Sequence, residues 1–247
     1  MAHLTGRARA LFRLLGLQAT WHYERMQGIG MGHATEPLLR AQFAAEPERF
    51  REALARAAGF FNANPYLAPA AVGAEVRAEK DGATPAQVER LRRALSGPLG
   101  ALGDRLFWSG LVPALVSAAL ALVLLGGGPW PVLGFVLVHN AVRLALAPWL
   151  LSLGWEHGVK VGHALAESPL PRVSVLAEGA AAFAGALAIP LVARRYLDGV
   201  SLEATVGVMG LLLAVVLLPR KALPGVSPLS LTLLVGAGAL LWHWGLG

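Results

Sequence analysis

The sequence predicts an all-α polytopic membrane protein with an amphipathic helical N-terminal part and about five transmembrane helices. The first indication is composition: 55% of the 247 residues are hydrophobic and the mean hydropathy is +0.56. Only 15% are charged, where a soluble globular chain carries about 25%. The second is charge distribution, because residues 1–105 hold 14 of the 21 basic and 10 of the 15 acidic side chains. The third is a series of long apolar stretches in the remainder.

Five apolar stretches are candidates for membrane spans. About 20 mostly apolar residues are needed to cross the hydrocarbon of a bilayer. Stretches that approach this length lie near 108–125, 131–153, 173–192, 204–218 and 228–244, and the fourth is the shortest. The sequence therefore predicts a membrane-embedded helical region over residues 97–247, surrounded by the lipid bilayer.

The charges of the connecting segments predict the orientation of these spans. The connection at 126–131 is uncharged, whereas the next ones on the opposite side carry Lys160, Arg172, Arg220 and Lys221. Cytoplasmic loops of membrane proteins are enriched in lysine and arginine, so the N-terminus is predicted to be cytoplasmic. Arg194 and Arg195 oppose this arrangement, because they fall on the outer side.

The first 96 residues predict amphipathic helices that are largely cytoplasmic or lie at the membrane interface. Near the N-terminus apolar residues alternate with arginines, as in a helix that lies on an anionic membrane surface or against a partner. The apolar residues of this pattern are Leu4, Leu11, Phe12, Leu15 and Leu17. A second helix is predicted from Pro47 to near Asn62. A third follows Thr84, which forms a capping box with Gln87, and is predicted to stop at Gly97.

Several classes of function lack their motifs in this sequence. The chain has no cysteine, which excludes disulfides and thiolate metal sites. Its seven histidines are scattered, and no zinc-protease motif, P-loop or nucleophile elbow occurs. The net charge of +6 accompanies no nucleic-acid-binding motif. We therefore expect no catalytic residue, no metal, no cofactor and no nucleic-acid partner.

The first polar cluster is "WHYERMQGIGMGHA", residues 21–34. Glu24 and Arg25 lie there beside Gly28, Gly30 and Gly32. One interpretation is an interfacial aromatic belt with a local ion pair. The other is a close-packed helix whose glycines admit a neighbour while the polar groups face a cavity.

The second cluster is "FFNANPYLAP", residues 60–69, in which Asn62 and Asn64 precede Pro65. Asparagine before proline commonly ends a helix and forms a turn. Amide side chains also suit sugar hydroxyls, because they offer a donor and an acceptor together.

The third cluster, "VHNAVRLA", places His139, Asn140 and Arg143 inside the second predicted span. Polar groups at this depth face the interior of a bundle or a transport pathway. The alternative is a buried structural pair, for which Glu178 in the third span is the expected counter-charge.

The segment "GPLGALGDRLFW", residues 97–108, joins the third helix to the first span. Gly97, Gly100 and Gly103 permit non-helical backbone, which at membrane depth needs cover from protein or a water-filled cavity. We expect a bent or re-entrant segment here, with Asp104 directed inward in preference to Arg105.

Taken in order, four sequence blocks resemble the IID component of the mannose/fructose/sorbose family of bacterial sugar phosphotransferase systems. They are the blocks beginning at Trp21, Phe60 and Gly97, and the block from Asn140 taken with "LAEGAAAFAG". The resemblance spans essentially the whole chain. Its most specific motif contains Gly97, Pro98, Gly103, Phe107 and Trp108.

The resemblance implies a non-catalytic permease subunit in the bacterial cytoplasmic membrane. Such a subunit pairs with a IIC membrane subunit, typically as a trimer of heterodimers, and carries a hexose inward. Cytoplasmic IIA and IIB phosphocarriers pass on phosphate, and IIB phosphorylates the sugar on entry. The candidates for the substrate pathway or the adjoining interface are Glu24, Arg25, Asn62, Asn64, Asp104, Asn140 and Arg143.

Three departures from the family pattern leave an alternative open. His22 replaces the usual asparagine, "SGLVP" lacks an arginine, and "LALAPWL" replaces a charged and aromatic run after Arg143. The alternative is a non-transporting IID-like membrane protein with an assembly or regulatory role.

Overall fold

The computed structural model describes residues 4–197, 200–217, 227, 230–231 and 233–238. Its helices are α1 (Arg7–Leu14), α2 (Gly28–Gln42), α3 (Pro47–Ala57), α4 (Ala68–Lys80), α5 (Pro85–Gly103), α6 (Val112–Leu122), α7 (Trp130–His157), α8 (Val161–Glu167), α9 (Leu170–Tyr196) and α10 (Leu202–Leu217). Two π-helical segments, Asp104–Leu111 and Val123–Gly127, flank α6, and the 3₁₀ turn Gly158–Lys160 joins α7 to α8. No β-strand forms within these ranges, so the all-α prediction is confirmed.

The chain forms two compact units. The first contains Met1–Asp104 and Val142–Leu170, and the second contains Arg105–Ala141 and Pro171–Gly247. The boundary predicted near residue 97 divides the chain by membrane environment, and it stays a prediction.

Three continuous helical stretches are long and apolar enough to cross a membrane: Pro85–Gly127, Trp130–Glu167 and Leu170–Tyr196. They contain the first three predicted spans. The fourth predicted span corresponds to α10, which is apolar but has only 16 residues. Of the fifth, near 228–244, the structure describes only residues 230–231 and 233–238, and the rest lies outside the described residues.

Helix α4 is the most deeply buried helix of the first unit. Every residue of it except Arg77 and Lys80 is buried. Its alanines, Val72 and Gly73 suit a core, and each of its two buried carboxylates pairs with an arginine, Glu75 with Arg92 and Glu79 with Arg56. This helix is absent from the sequence predictions because its pattern has no amphipathic period.

Two glycines allow α4 to lie against α7. A Cβ atom added to Gly73 would be 2.2 Å from the Leu151 carbonyl oxygen, and one added to Gly154 would be 2.1 Å from the Ala70 carbonyl oxygen. Real Cβ atoms do not approach this closely. The two backbones therefore touch at a point where only glycine fits.

The second predicted helix begins as expected but ends early. Helix α3 starts at Pro47 and its last residue is Ala57. The predicted end near Asn62 is wrong, because Phe61 pairs through its backbone with Arg25 and Gln27 outside any helix.

The start of α5 is confirmed and its predicted end is wrong. The Thr84 side chain accepts a hydrogen bond from the Gln87 backbone N–H at 3.3 Å, and the Gln87 side chain accepts one from the Thr84 backbone N–H at 2.7 Å. The helix then continues past Gly97 and Pro98 to Gly103 and widens into the π-helical segment. Continued helix satisfies backbone groups that a break would expose, which explains why the glycines do not end it.

Candidate functional site

The first family block folds into a tight turn held by its own backbone. The His22 and Met26 backbones exchange two hydrogen bonds, with N–O distances of 2.7 and 3.3 Å. Met26 has a φ of 52°, which non-glycine residues rarely adopt. The adjacent rings of Trp21 and Tyr23 meet edge to face, with their centroids 4.9 Å apart.

Gln27 joins this turn to the second block. Its Nε2 donates to the Ala63 carbonyl oxygen at 2.8 Å, and its Oε1 accepts from the Ala63 backbone N–H at 3.2 Å. Its backbone N–H also donates to the Phe61 carbonyl oxygen at 2.9 Å. Only 2% of Gln27 is exposed, so the two loops share one buried amide. Sequence reasoning did not select Gln27, because a glutamine in a polar segment gives no local signal of the distant backbone groups that it meets.

Asn64 joins the second block to the third. Its Nδ2 donates to Asp104 Oδ1 at 2.9 Å, and its Oδ1 accepts from the Tyr66 backbone N–H at 3.0 Å. A Cβ atom on Gly103 would lie 2.3 Å from Asn64 Cβ. The glycine of the third block therefore makes room for the asparagine of the second.

Arg92 holds the loop that carries these asparagines. This buried guanidinium donates to Glu75 Oε2 at 2.5 Å and to the Gly59 carbonyl oxygen at 3.0 Å. Burial raises the pKa of Glu75, and Arg92 opposes this effect. A second pair joins partly exposed Arg56 to buried Glu79 through two hydrogen bonds of 2.8 and 2.9 Å.

Arg143 of the fourth block reaches the same unit. Its Nη2 donates to the Leu15 carbonyl oxygen at 3.2 Å, and its guanidinium lies 5.2 Å from the Tyr66 ring centroid. Arg143 and Tyr66 line a cavity of about 160 Å³ together with Leu11, Leu14, Leu15, Leu17, Gln18, Pro65, Pro69 and Ala147.

The remaining polar candidates of this unit are exposed. Glu24, Arg25 and Asn62 all present their side chains at the surface. No ion pair within the described residues links Glu24 to Arg25, so the local ion pair of the first interpretation does not form. The glycines of the block do pack closely: a Cβ atom on Gly28 would lie 2.0 Å from the Gly59 carbonyl oxygen.

Arg105 and Glu178 form an ion pair in the second unit. Two hydrogen bonds of 2.9 and 3.0 Å join the guanidinium to both carboxylate oxygens. The expected pairing of Glu178 with Arg143 is therefore wrong. Arg105 therefore has a structural role, because its planar guanidinium binds both oxygens of the Glu178 carboxylate.

The other predicted residues of the second unit lie along α7 and the first π-helical segment. Asn140 Nδ2 donates to the Val136 carbonyl oxygen at 2.8 Å within its own helix. The His139 ring lies 6.1 Å from the ring of buried Phe107 and 6.0 Å from that of Phe135, centroid to centroid. Trp108 is 47% exposed, as expected of an aromatic side chain facing lipid or a partner.

Gly97 and Pro98 are exposed in α5, and nothing lies within 4 Å of a Cβ atom built on Gly97.

Within the described ranges, no group of three histidine or acidic side chains could hold a metal ion. What the first unit brings together is the series Gln27, Asn64 and Asp104, in which the two amides are buried and hydrogen-bonded to the protein and the Asp104 carboxylate is exposed.

The long apolar helices define a polytopic, integral membrane protein. A family model described as "PTS system mannose/fructose/sorbose family IID component" matches residues 5–236. The chain therefore belongs to this family, and it is the IID component of a mannose-type sugar phosphotransferase system.

Similar proteins have the same kind of name. The mannose-specific EIID component of Escherichia coli K12 is 28% identical over 231 residues, covering 87% of this chain and 78% of that protein. The fructose permease IID component of Bacillus subtilis is 28% identical over 235 residues, covering 89% and 81%.

Two solved structures share the fold. One is a chain from a cryo-EM structure of the mannose transporter ManYZ with microcin E492, with a TM-score of 0.58, 21% identity and coverage of 100% of this chain and 98% of that one. The other, described as a membrane protein, has a TM-score of 0.62, 22% identity and coverage of 98% and 89%.

Proposed function

We propose that this chain and a IIC membrane subunit together form the translocation pathway for a hexose that IIB phosphorylates on entry. The observation that carries the proposal is the junction of family blocks in the first unit, where Gln27, Asn64 and Asp104 link three of them. Residues that belong to the family's sequence blocks and also contact one another are candidates for the function that the family shares.

Asp104 is the leading candidate for a pathway residue. Its carboxylate accepts one hydrogen bond from Asn64, and the residue is otherwise exposed. A carboxylate has about four acceptor positions, so Asp104 keeps capacity for sugar hydroxyls. Glu24, Arg25 and Asn62 add exposed polar groups from the neighbouring loops, and Asn140 and Arg143 are candidates on α7.

The chain itself performs no phosphoryl transfer under this proposal. Phosphate passes through cytoplasmic IIA and IIB proteins, and the IIC and IID subunits assemble as a trimer of heterodimers in the bacterial cytoplasmic membrane. The N-terminus is cytoplasmic, on the side where those phosphocarriers lie.

Substitution of Asp104 by asparagine tests the pathway role. The amide is isosteric and its oxygen still accepts the hydrogen bond from Asn64, so the charge is what changes. We expect hexose uptake and phosphorylation to fall roughly ten- to a hundredfold, the value of a hydrogen bond to a charged group. The measurement uses cells that carry the cognate IIC, IIA and IIB proteins, with co-purification of IIC as the check on assembly.

Asp81→Asn is the matched control, because Asp81 is an exposed acid in the turn before α5. We expect this variant to transport as the wild type does. Wild-type uptake by Asp104→Asn would remove the carboxylate charge from the essential groups of the pathway.

A second candidate is an assembly or regulatory role without transport. The departure at His22 favours it, because the family asparagine is replaced by a ring whose buried Nε2 has no hydrogen-bond partner among the described residues. Co-purification with IIC without sugar-dependent phosphorylation would support this candidate, and vectorial uptake of a hexose would exclude it.

A further inference from the structure

Helix α1 is tied to a membrane-spanning helix. Arg7 Nη2 donates to the Pro148 carbonyl oxygen of α7 at 3.0 Å, and Arg143 of α7 donates to the Leu15 carbonyl oxygen just after α1 at 3.2 Å. Arg143 lies at the middle of the apolar stretch 131–153, and Pro148 lies in its C-terminal half. The segment containing α1 therefore packs beside the C-terminal half of this apolar stretch.

The outward face of α1 combines a cation with an aromatic ring. Arg9 and Phe12 are three positions apart, hence on one face, and both are exposed, Phe12 to 76%. Ala10 and Leu14 are buried on the inner side. Arginine beside an exposed aromatic residue is typical of helices at a membrane interface.

An open cavity of about 590 Å³ lies between α1 and α2, with Arg9, Arg13, Arg40 and Glu36 in its wall. Arg13 Nη1 donates to Glu36 at 2.7 Å and also to the His33 carbonyl oxygen at 2.9 Å. Proline at position 37 has no N–H to donate to this oxygen, so Arg13 completes α2.

The cavity has more positive than negative charge. Arg40 and Arg13 share the Glu36 carboxylate, and Arg9 makes no hydrogen bond or ion pair with the described residues. Three guanidinium groups against one carboxylate leave a net charge of about +2 around the opening. Arginine forks match phosphate oxygens in geometry.

We propose that this cavity binds the phosphate of an anionic phospholipid, with Arg9 and Arg40 as its ligands and an acyl chain along Phe12. The hydrogen bonds to a membrane-spanning helix and the exposed Phe12 favour a lipid over an acidic protein, which would not require an exposed aromatic side chain beside a span. The site is independent of the hexose pathway.

Native mass spectrometry of the full chain tests the site. The protein is purified in a neutral detergent and offered phosphatidylglycerol and phosphatidylcholine at equal concentration. We expect wild type to retain phosphatidylglycerol at least fivefold more than phosphatidylcholine, and Arg9→Gln/Arg40→Gln to lose that preference. Arg51→Gln is the matched control, because Arg51 is exposed and pairs only with exposed Glu48. Equal retention of the two lipids by wild type, or an unchanged preference in the double variant, would overturn the proposal.

Two further arms separate the sources of the anion. Inorganic phosphate or an acidic peptide that displaces phosphatidylglycerol at micromolar concentration would assign the cavity to a soluble anion or a protein, and the lipid proposal would be wrong. Arg13 is left unchanged in all variants because it completes α2.

The position of Phe12 gives an independent readout. The chain has no cysteine, so Phe12→Cys and the control Glu48→Cys each accept one environment-sensitive fluorophore. In nanodiscs containing phosphatidylglycerol we expect a blue shift at position 12 and none at 48. Emission typical of water at both positions would exclude a lipid-facing α1.

Discussion

At the scale of single residues, Gln27 connects two loops, whereas its charged neighbours Glu24 and Arg25 are exposed. One amide both donates to and accepts from the backbone of Ala63, and the residue is 2% exposed. Gln27→Ala removes the partner of the partly buried Ala63 N–H and carbonyl oxygen, at up to about 1–3 kcal/mol for each unsatisfied group. We expect a clear fall in the thermal unfolding midpoint of the purified protein. Gln18→Ala, at an exposed position with no side-chain hydrogen bond to the described residues, is the control.

Glu36 gives α1 and α2 a contact that depends on pH. Burial raises the pKa of this carboxyl, but the hydrogen bonds from Arg40 and Arg13 outweigh burial and leave the pKa below its ordinary value of 4.5. The folded state therefore prefers the ionised form, and its stabilising contribution is present above pH 4.5 and lost as the pH falls through the lowered pKa.

Glu36→Gln removes this contribution at every pH. We expect wild type to unfold at a higher temperature than Glu36→Gln near pH 7, and the gap to close below pH 4.5. A gap of constant size from pH 7 to pH 3.5 would contradict the lowered pKa.

At the scale of helices, the contact between α4 and α7 depends on glycine. Gly154→Ala places a methyl group 2.1 Å from the Ala70 carbonyl oxygen, and such overpacking costs about 1–3 kcal/mol. Gly134→Ala in the same helix meets nothing within 4 Å and gains up to about 1 kcal/mol of helix propensity. Opposite shifts of the unfolding midpoint are expected, and equal shifts would contradict the close approach.

Helix starts were easier to predict than helix ends. The Thr84 capping box and Pro47 are local signals, and both mark true starts. The end expected at Gly97 rested on the conformational freedom of glycine, which permits a break without requiring one. Helix α4 has no side-chain cap, and its two buried carboxylates depend on arginines of other helices, so neither its start nor its burial is marked by a local signal.

At the scale of the whole molecule, family blocks predicted function better than they predicted contacts. The sequence singled out Asn64 and Asp104 separately, and the structure joins them at 2.9 Å. Sequence reasoning expected Glu178 to pair with Arg143, whereas the structure pairs Glu178 with Arg105. Charge and depth along a span indicate that a partner is needed, but which side chain meets which depends on tertiary packing.

The membrane topology of the residues that flank Pro85–Gly127 shows whether this helix crosses the membrane or is re-entrant. Pro85–Gly127 has 43 residues, or roughly 64 Å at 1.5 Å per residue, against about 30 Å of hydrocarbon. A single crossing puts the flanking residues Asp81 and Trp130 on opposite faces of the membrane. A re-entrant segment would return them to one face.

The absence of cysteine makes this topology measurable. Asp81→Cys and Trp130→Cys each introduce one exposed thiol. With a cytoplasmic N-terminus, we expect an impermeant maleimide to label residue 130 in intact spheroplasts and residue 81 only after permeabilisation. The opposite pattern would invert the orientation while keeping the crossing. Labelling of both thiols from one side would instead mean that the helix bends back, and Asp104 would then lie on a segment that enters the membrane without crossing it.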